Sequence, residues 1–299
     1  MPSIISRAIN PAWQAPEERS EIEKRWVSLQ PYLAANGYQL RPRYQPDWVP
    51  SWKATGADPF DCEDSSNALP VRALDATRIE DGTQVVIKML IPSNNDREGR
   101  EELEIIQRFS SPPLSNNPSN HSVPCLDTFP IPDVEGGMFL VMPLLSEYKS
   151  PPFHDISEIH DFLGQIFEGL EFLHHHGVAH CDIASDNILM DKRPLYDEPF
   201  HPFLQHRTLD GKRPAKPKYL RSQKPVRYYY IDFGYAKWFR EPTAVRTVSG
   251  VHAKERVPEQ VGGNVYDPFK ADIYQLGAIL RRDLIPVSLI YGTMISTSL

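Results

Sequence analysis

The stretch His180-Cys181-Asp182-Ile183-Ala184-Ser185-Asp186-Asn187-Ile188-Leu189 decides the reading of this chain. It places an acid and an amide five residues apart, between a long amphipathic run and a short apolar strand. Downstream, Tyr228-Tyr229-Tyr230-Ile231-Asp232-Phe233-Gly234 puts a second acid at the end of another apolar strand. Upstream, Val85-Val86-Ile87-Lys88 sets a lysine among β-branched residues, on a strand that should be largely buried, where a charge needs a partner. Glu102, on the helix predicted next, is a natural partner. Two carboxylates, an amide and a lysine match the needs of phosphoryl transfer. Mg²⁺ takes hard oxygen ligands, and phosphate oxygens take cations.

Around these residues the pattern is strands plus one helix, then mostly helices. A helix is predicted over 17–35, with Ile22, Trp26, Leu29 and Leu33 on one face. Strands are predicted at 71–76 and 85–90 around the turn Glu80-Asp81-Gly82. A helix over 97–109 precedes further strands near 125–129 and 138–145. Asp155 and Glu158 open a long helix, and short strands follow at 188–190 and 228–231. A last helix fits 271–282. This order implies an α+β protein of two lobes. The domain reading is a proline-rich N-terminal extension with one helix (1–60), an N-lobe (61–145) and a C-lobe (146–299) with a basic insertion (192–227).

Composition excludes several classes. Of 299 residues, 40% are hydrophobic and 24% charged, enough for a real core. The net charge of −7 disfavours a basic nucleic-acid binder. Three scattered cysteines, Cys62, Cys125 and Cys181, make neither a disulfide framework nor a zinc knuckle, and point to a reducing compartment. No apolar run suits a signal peptide or a spanning helix, so the chain is expected in the cytoplasm or nucleus with no membrane role. The uncharged tail from Leu284 to Leu299 reads as a buried or irregular end. His174-His175-His176 with His180 is not a metal site, because consecutive helical histidines diverge and no cysteine pair accompanies them. The insertion 192–227 carries ten Lys/Arg against three acids, and reads as a solvated loop or a site for an acidic partner.

The ordered motifs resemble the eukaryotic protein kinases, and the long proline-rich extension with the stretch DATRIEDGTQVVIK (75–88) looks like fungal protein-kinase-like proteins. Val-Val-Ile-Lys88 matches the V-A-I-K strand, His180 to Asn187 the H-R-D-x-x-x-x-N loop, Asp232-Phe233-Gly234 the D-F-G motif, and Val257-Pro258-Glu259 the A-P-E motif. Asp272-Ile273-Tyr274-Gln275-Leu276-Gly277 looks like the buried helix that follows in that family. The resemblance implies a bilobal kinase-like fold with a small β-rich N-lobe and a mostly helical C-lobe. It also implies ATP and Mg²⁺ as cofactors and a protein substrate. Asp182 would accept the proton of the substrate hydroxyl. Asn187 and Asp232 would bind Mg²⁺, and Lys88 would touch the α/β-phosphates and pair with Glu102. Met142 would border the adenine, Pro143 to Leu145 (with Leu144) would form the hinge, and Leu189 would pack below the base. Ile106, His180, Phe233 and Asp272 would form an internal stack.

The departures matter as much. The stretch Asp64-Ser65-Ser66-Asn67-Ala68-Leu69-Pro70 has no glycine where the family has a glycine-rich loop, and Val86 replaces an alanine. Cys181 replaces the arginine of H-R-D, so phosphorylation of Thr243, Thr247 or Ser249 is not expected to act as the switch. Ala184 stands where Ser/Thr kinases carry a lysine. About 27 residues follow Asp272, so the C-lobe reads as truncated after that helix, leaving Glu259 without its usual arginine. Three functions stay open: an ATP-dependent Ser/Thr protein kinase, a pseudokinase or scaffold module, and a small-molecule kinase of related fold.

Overall fold

A computed structural model describes residues 15–65, 71–92, 100–241, 243–250 and 253–285. The chain from 286 onward, most of the glycine-free stretch (66–70) and the expected helix start at 97–99 lie outside these. The fold divides into two compact units. One holds residues 1–91, 124–158 and 191–226; the other holds 92–123, 159–190 and 227–299.

The first unit is built on a five-stranded antiparallel sheet in the order β1-β2-β3-β5-β4. Its strands are β1 (Tyr38–Gln39), β2 (Ala73–Arg78), β3 (Gln84–Leu90), β4 (Asp127–Pro130) and β5 (Met138–Pro143). A two-residue strand, β6 (Ser146–Glu147), follows. The β2–β3 hairpin turns through Glu80-Asp81-Gly82 as expected. Gly82 sits at φ +70°, and the Asp81 carboxylate accepts from Thr83 N and pairs with Arg78. Along β3 the side chains alternate. Val85, Ile87 and Met89 are buried in the core, whereas Val86 and Lys88 are half-buried on the other face. The β-branched run therefore buries one face only, and Lys88 stands on the other.

Helix α1 (Glu21–Ala35) covers the core face of this sheet. It begins at Glu21 rather than Glu17, because Ser20 and Glu23 form a reciprocal capping box there. Trp26 and Leu33 are fully buried beside Phe139, Val141, Ile87 and Leu74, with Ile22 and Leu29 packed at the edge. Below α1, Arg43 and Glu23 form an ion pair at 2.5 Å, both side chains fully buried. Arg43 also donates to the carbonyls of Pro16, Glu18 and Asp64, which satisfies its guanidinium and ties the proline-rich segment down. The short helix α2 (Ser51–Thr55) is held through Ser51 by the carboxylate of Asp64.

The basic insertion belongs to this unit and is not merely a solvated loop. Leu195, Phe200, His201, Arg221 and Val226 are buried. Gln84 donates to Phe200 O, Gln205 to Leu145 O, and Arg221 to Tyr148 O. His201 Nδ1 accepts two main-chain N–H groups, so its Nε2 carries the proton toward Glu63 at 3.0 Å. The ammonium of Lys192 is buried, donates to Gln205 O at 2.9 Å and lies 4.3 Å from the Phe200 ring. Periodicity finds no such anchors, since none repeats at a fixed spacing.

The second unit is mostly helical. It contains α3 (Arg100–Phe109) and the bulk of α4 (Ile156–His175), followed by β7 (Val178–Ala179), β8 (Ile188–Asp191), β9 (Arg227–Tyr230) and β10 (Lys237–Trp238). The chain then forms α5 (Pro258–Val261) and α6 (Pro268–Asp283). Strand β8 lies beside β9, and β7 pairs antiparallel with β10. Asp155 caps α4 by accepting from Glu158 N, while the Glu158 side chain takes His154 N. Gly177 ends α4 at φ +76°, where a Cβ would come within 2.6 Å of Phe239 O. Phe162, Ile166 and Leu173 are buried, and Tyr230 Oη donates to Ile166 O at 2.8 Å.

Candidate active site

The loop that follows β7 is suspended from α6. Asp272 and Gln275 lie three residues apart, on one face of that helix, and both are fully buried. Asp272 Oδ2 accepts from His180 N and Oδ1 from Cys181 N, each at 2.8 Å. Gln275 Oε1 accepts from Ile183 N at 2.9 Å, and its Nε2 reaches Cys181 O. These bonds hold Cys181 at φ +64°, a left-handed conformation that costs a non-glycine residue energy. Burial pushes the Cys181 thiol above its ordinary range, so it stays protonated and unreactive.

This suspension positions Asp182 and Asn187. Asn187 Nδ2 donates to Asp182 O at 2.7 Å and to Asp182 Oδ2 at 3.0 Å, which closes the loop on itself. Asn187 O accepts from Ile231 N, and His180 Nε2 donates to Ile231 O, so the end of β9 is locked to the same loop. The bond to a carbonyl assigns the ring proton to Nε2 and leaves Nδ1 buried with no hydrogen-bond partner among the described residues. Asp232, the next residue, sits at φ +60°. A Cβ on Gly234 would lie 3.4 Å from Asp232 Oδ1 and 3.7 Å from Glu102 Oε2, so both carboxylates border that glycine. Phe233 is fully buried with its ring 5.0 Å from the His180 ring, and Ile106 is also fully buried.

Burial raises the pKa of Asp182, an effect opposed mainly by the main-chain N–H of Lys254 on its Oδ1 at 2.7 Å. The Lys254 ammonium lies 3.1 Å from Asn187 Oδ1. Two acids, an amide and a cation thus gather on loops of a single unit. Residues 72–293 match the family model described as protein kinase domain. The chain belongs to the protein kinase family. Over 60 residues it is also 34% identical to the "Probable serine/threonine-protein kinase KKQ8" of Candida glabrata, a match covering 20% of this chain and 8% of that protein. The chain thus spans under a tenth of that curated relative's length.

Membership of the kinase family confirms the expected α+β kinase fold, with a β-rich N-lobe and helical elements. Protein kinase domains are associated in general with ATP- and Mg²⁺-dependent phosphoryl transfer to proteins. Of the predicted site residues, Asp182, Asn187, Asp232, Glu102 and Leu189 fall in the second unit. Lys88, Met142 and Leu144 fall in the first. There Val86 pairs with Met142 and Lys88 with Leu140, which places all four on one face of the sheet. Leu189 is half-buried on β8 between the buried Ile188 and Met190.

Two residues of this kinase domain escape sequence reading. Gln275 is visible only as part of an apolar helix, and its role comes from reaching a loop 92 residues away. Lys254 lies in a loop without periodic signal; the only hint is the cation that Ala184 fails to supply. Glu259 is exposed, and Arg282 pairs instead with Glu255 and donates to Ser185 Oγ. Among the described residues, no helix is long and apolar enough to cross a membrane, and no three or more His, Cys, Asp or Glu side chains gather as a metal site.

Proposed function

We propose that this chain is an ATP-dependent protein kinase that transfers the γ-phosphoryl group of Mg-ATP to a Ser or Thr hydroxyl of a protein. The observation that carries the reading is the bond from Asn187 Nδ2 to Asp182 Oδ2, which orients a buried carboxylate and leaves Asn187 Oδ1 facing a cation. A carboxylate has about four acceptor sites, so two bonds leave room for a substrate hydroxyl. Burial makes Asp182 a stronger base than an ordinary aspartate. In the reaction the hydroxyl oxygen bonds to the γ-phosphorus, the bond to the β,γ-bridging oxygen breaks, and Asp182 takes the hydroxyl proton. ADP leaves.

The donor set suits Mg²⁺. Asn187 Oδ1 and the Asp232 carboxylate are hard oxygens, and the first already meets an ammonium. Those two groups would hold the ion, which when bound neutralises phosphate charge. By position in the family motifs, Lys88 is proposed to contact the α/β-phosphates, and Glu102 to orient the phosphate-binding groups. Met142, Leu144 and Leu189 are proposed to border the base. The exposed Lys212, Arg213, Lys216 and Lys224 of the insertion support an acidic partner. Free cysteines at 62, 125 and 181 support a cytoplasmic or nuclear setting.

A pseudokinase or scaffold is the second reading, favoured by Lys254 engaging both Asp182 and Asn187. Incubation with Mg-ATP and a generic protein substrate separates the two. Transfer to Ser/Thr that Asp182→Asn removes supports the kinase. Equal signal from both proteins, or no thermal shift at millimolar Mg-ATP, would favour the scaffold.

A further inference from the structure

Phosphoryl transfer spreads negative charge over the oxygens of the transferring group, and a fixed cation there stabilises the transition state. The loop that holds the proposed base has no cation of its own, because Ala184 is uncharged and buried. Several other bases of the same unit are engaged elsewhere. Lys237 pairs with Glu101, Arg240 with Glu104 and Arg282 with Glu255, while Arg108 stacks on Trp238. Lys254 differs from them. Among the described residues its ammonium donates to the amide oxygen of Asn187 and forms no ion pair, while its charge acts on the neighbouring Asp182.

The surroundings fix the backbone of Lys254, whereas its side chain is held, among the described residues, by the single contact with Asn187 Oδ1. Its N–H is bound to Asp182 Oδ1, Ala253 before it is buried, and Glu255 after it is tied to Arg282. Arg282 in turn bonds Ser185 Oγ, which donates to Asp283 at 2.6 Å. Lys254 is exposed, and among the described residues one of its three ammonium donors is used, so the ammonium can swing from its root. A cation rooted beside the base and held through one amide contact is well placed to follow an anion.

Building on the kinase reading, we infer that Lys254 is the catalytic cation of this enzyme, supplying to the transferring phosphoryl group the charge that Ala184 does not. With Asn187 Oδ1 committed to the ion it would help to hold, the Lys254 ammonium would turn to an oxygen of the transferring phosphoryl group. Lys254 neither gives nor takes a proton. Its hydrogen bond strengthens as the bond to ADP breaks and the hydroxyl proton passes to Asp182.

The test compares wild type, Lys254→Met and Lys254→Arg as full chains. Methionine keeps the main-chain N–H and the apolar stem, so an exposed site loses only its charge. Loss of about 100-fold in kcat is expected for Lys254→Met, with KM for ATP within about threefold and partial rescue by arginine. A second readout needs no turnover. Mg-ADP should raise Tm equally in wild type and Lys254→Met, and aluminium fluoride, which mimics the planar phosphoryl group, should add a further rise only in wild type and Lys254→Arg. An active wild type with Lys254→Met equally fast, or faster because the lysine blocks the site, overturns this inference alone. So does a fluoride-dependent rise that persists in Lys254→Met. A wild type that neither binds Mg-ADP nor transfers phosphate overturns the kinase reading and this inference with it.

Discussion

Asp272 accepts the main-chain N–H of Cys181 at 2.8 Å and so holds, from 91 residues away, a side-chain-bearing residue in a left-handed conformation. The same carboxylate takes His180 N and lies 2.8 Å from His174 Nε2. Replacement by alanine strands two buried N–H donors and frees the strain at Cys181. Asp272→Ala should lose roughly 3 kcal/mol or more of stability, read by urea denaturation. A loss under about 1 kcal/mol would show that the loop is held by other means.

Burial raises the pKa of Asp182. A proton acceptor works only when ionised, so the acid limb of the pH–rate profile should lie above the ordinary aspartate range. Protonation on the falling side of that limb removes the base, and activity should drop as pH falls through it. Steady-state kinetics across about pH 4–8 check this. A limb at an unshifted aspartate position would separate Asp182 from the titration.

Lys192 has its pKa lowered from 10.5 to about 8, chiefly by burial. At pH 7 both folded and unfolded chains carry the proton, and the folded state bears the full cost of the buried charge. Between about pH 8 and 10.5 the unfolded chain holds more protons, so stability contributed by this group rises with pH. The shift corresponds to at most roughly 3 kcal/mol, reduced by the loss of the bond to Gln205 O and the contact with Phe200. Lys192→Met should therefore be about 1–2 kcal/mol more stable than wild type at pH 7, with a narrower gap at pH 10, measured by denaturant titration.

Glu23 and Arg43 form a fully buried pair under α1. Removing one partner leaves an uncompensated charge, so Glu23→Gln or Arg43→Met should each cost about 3–5 kcal/mol. The double replacement should cost less than the two single effects added together. Additive costs in that cycle would mean that the two side chains act independently.

Local periodicity located most elements of both units, because helices and strands bury one face at fixed spacing. The run Ile159, Phe162, Ile166, Leu170 and Leu173 announces α4, and Val85, Ile87 and Met89 lie on the buried face of β3. Periodicity misplaced the start of α1, where Ser20 and Glu23 outrank the apolar pattern. It also missed the burial of Phe200, His201 and Arg221, whose contacts come from distant segments.

What the sequence by itself determined is the order of elements and the order of Lys88, Glu102, Asp182, Asn187 and Asp232 along them, since both are written in local patterns and short motifs. Tertiary structure alone decided that α6 holds Cys181 in a left-handed turn and that Lys254 meets Asp182 and Asn187 across 72 and 67 residues. Such contacts join side chains with no shared period, and only the closed loops of the folded chain bring them within bonding distance.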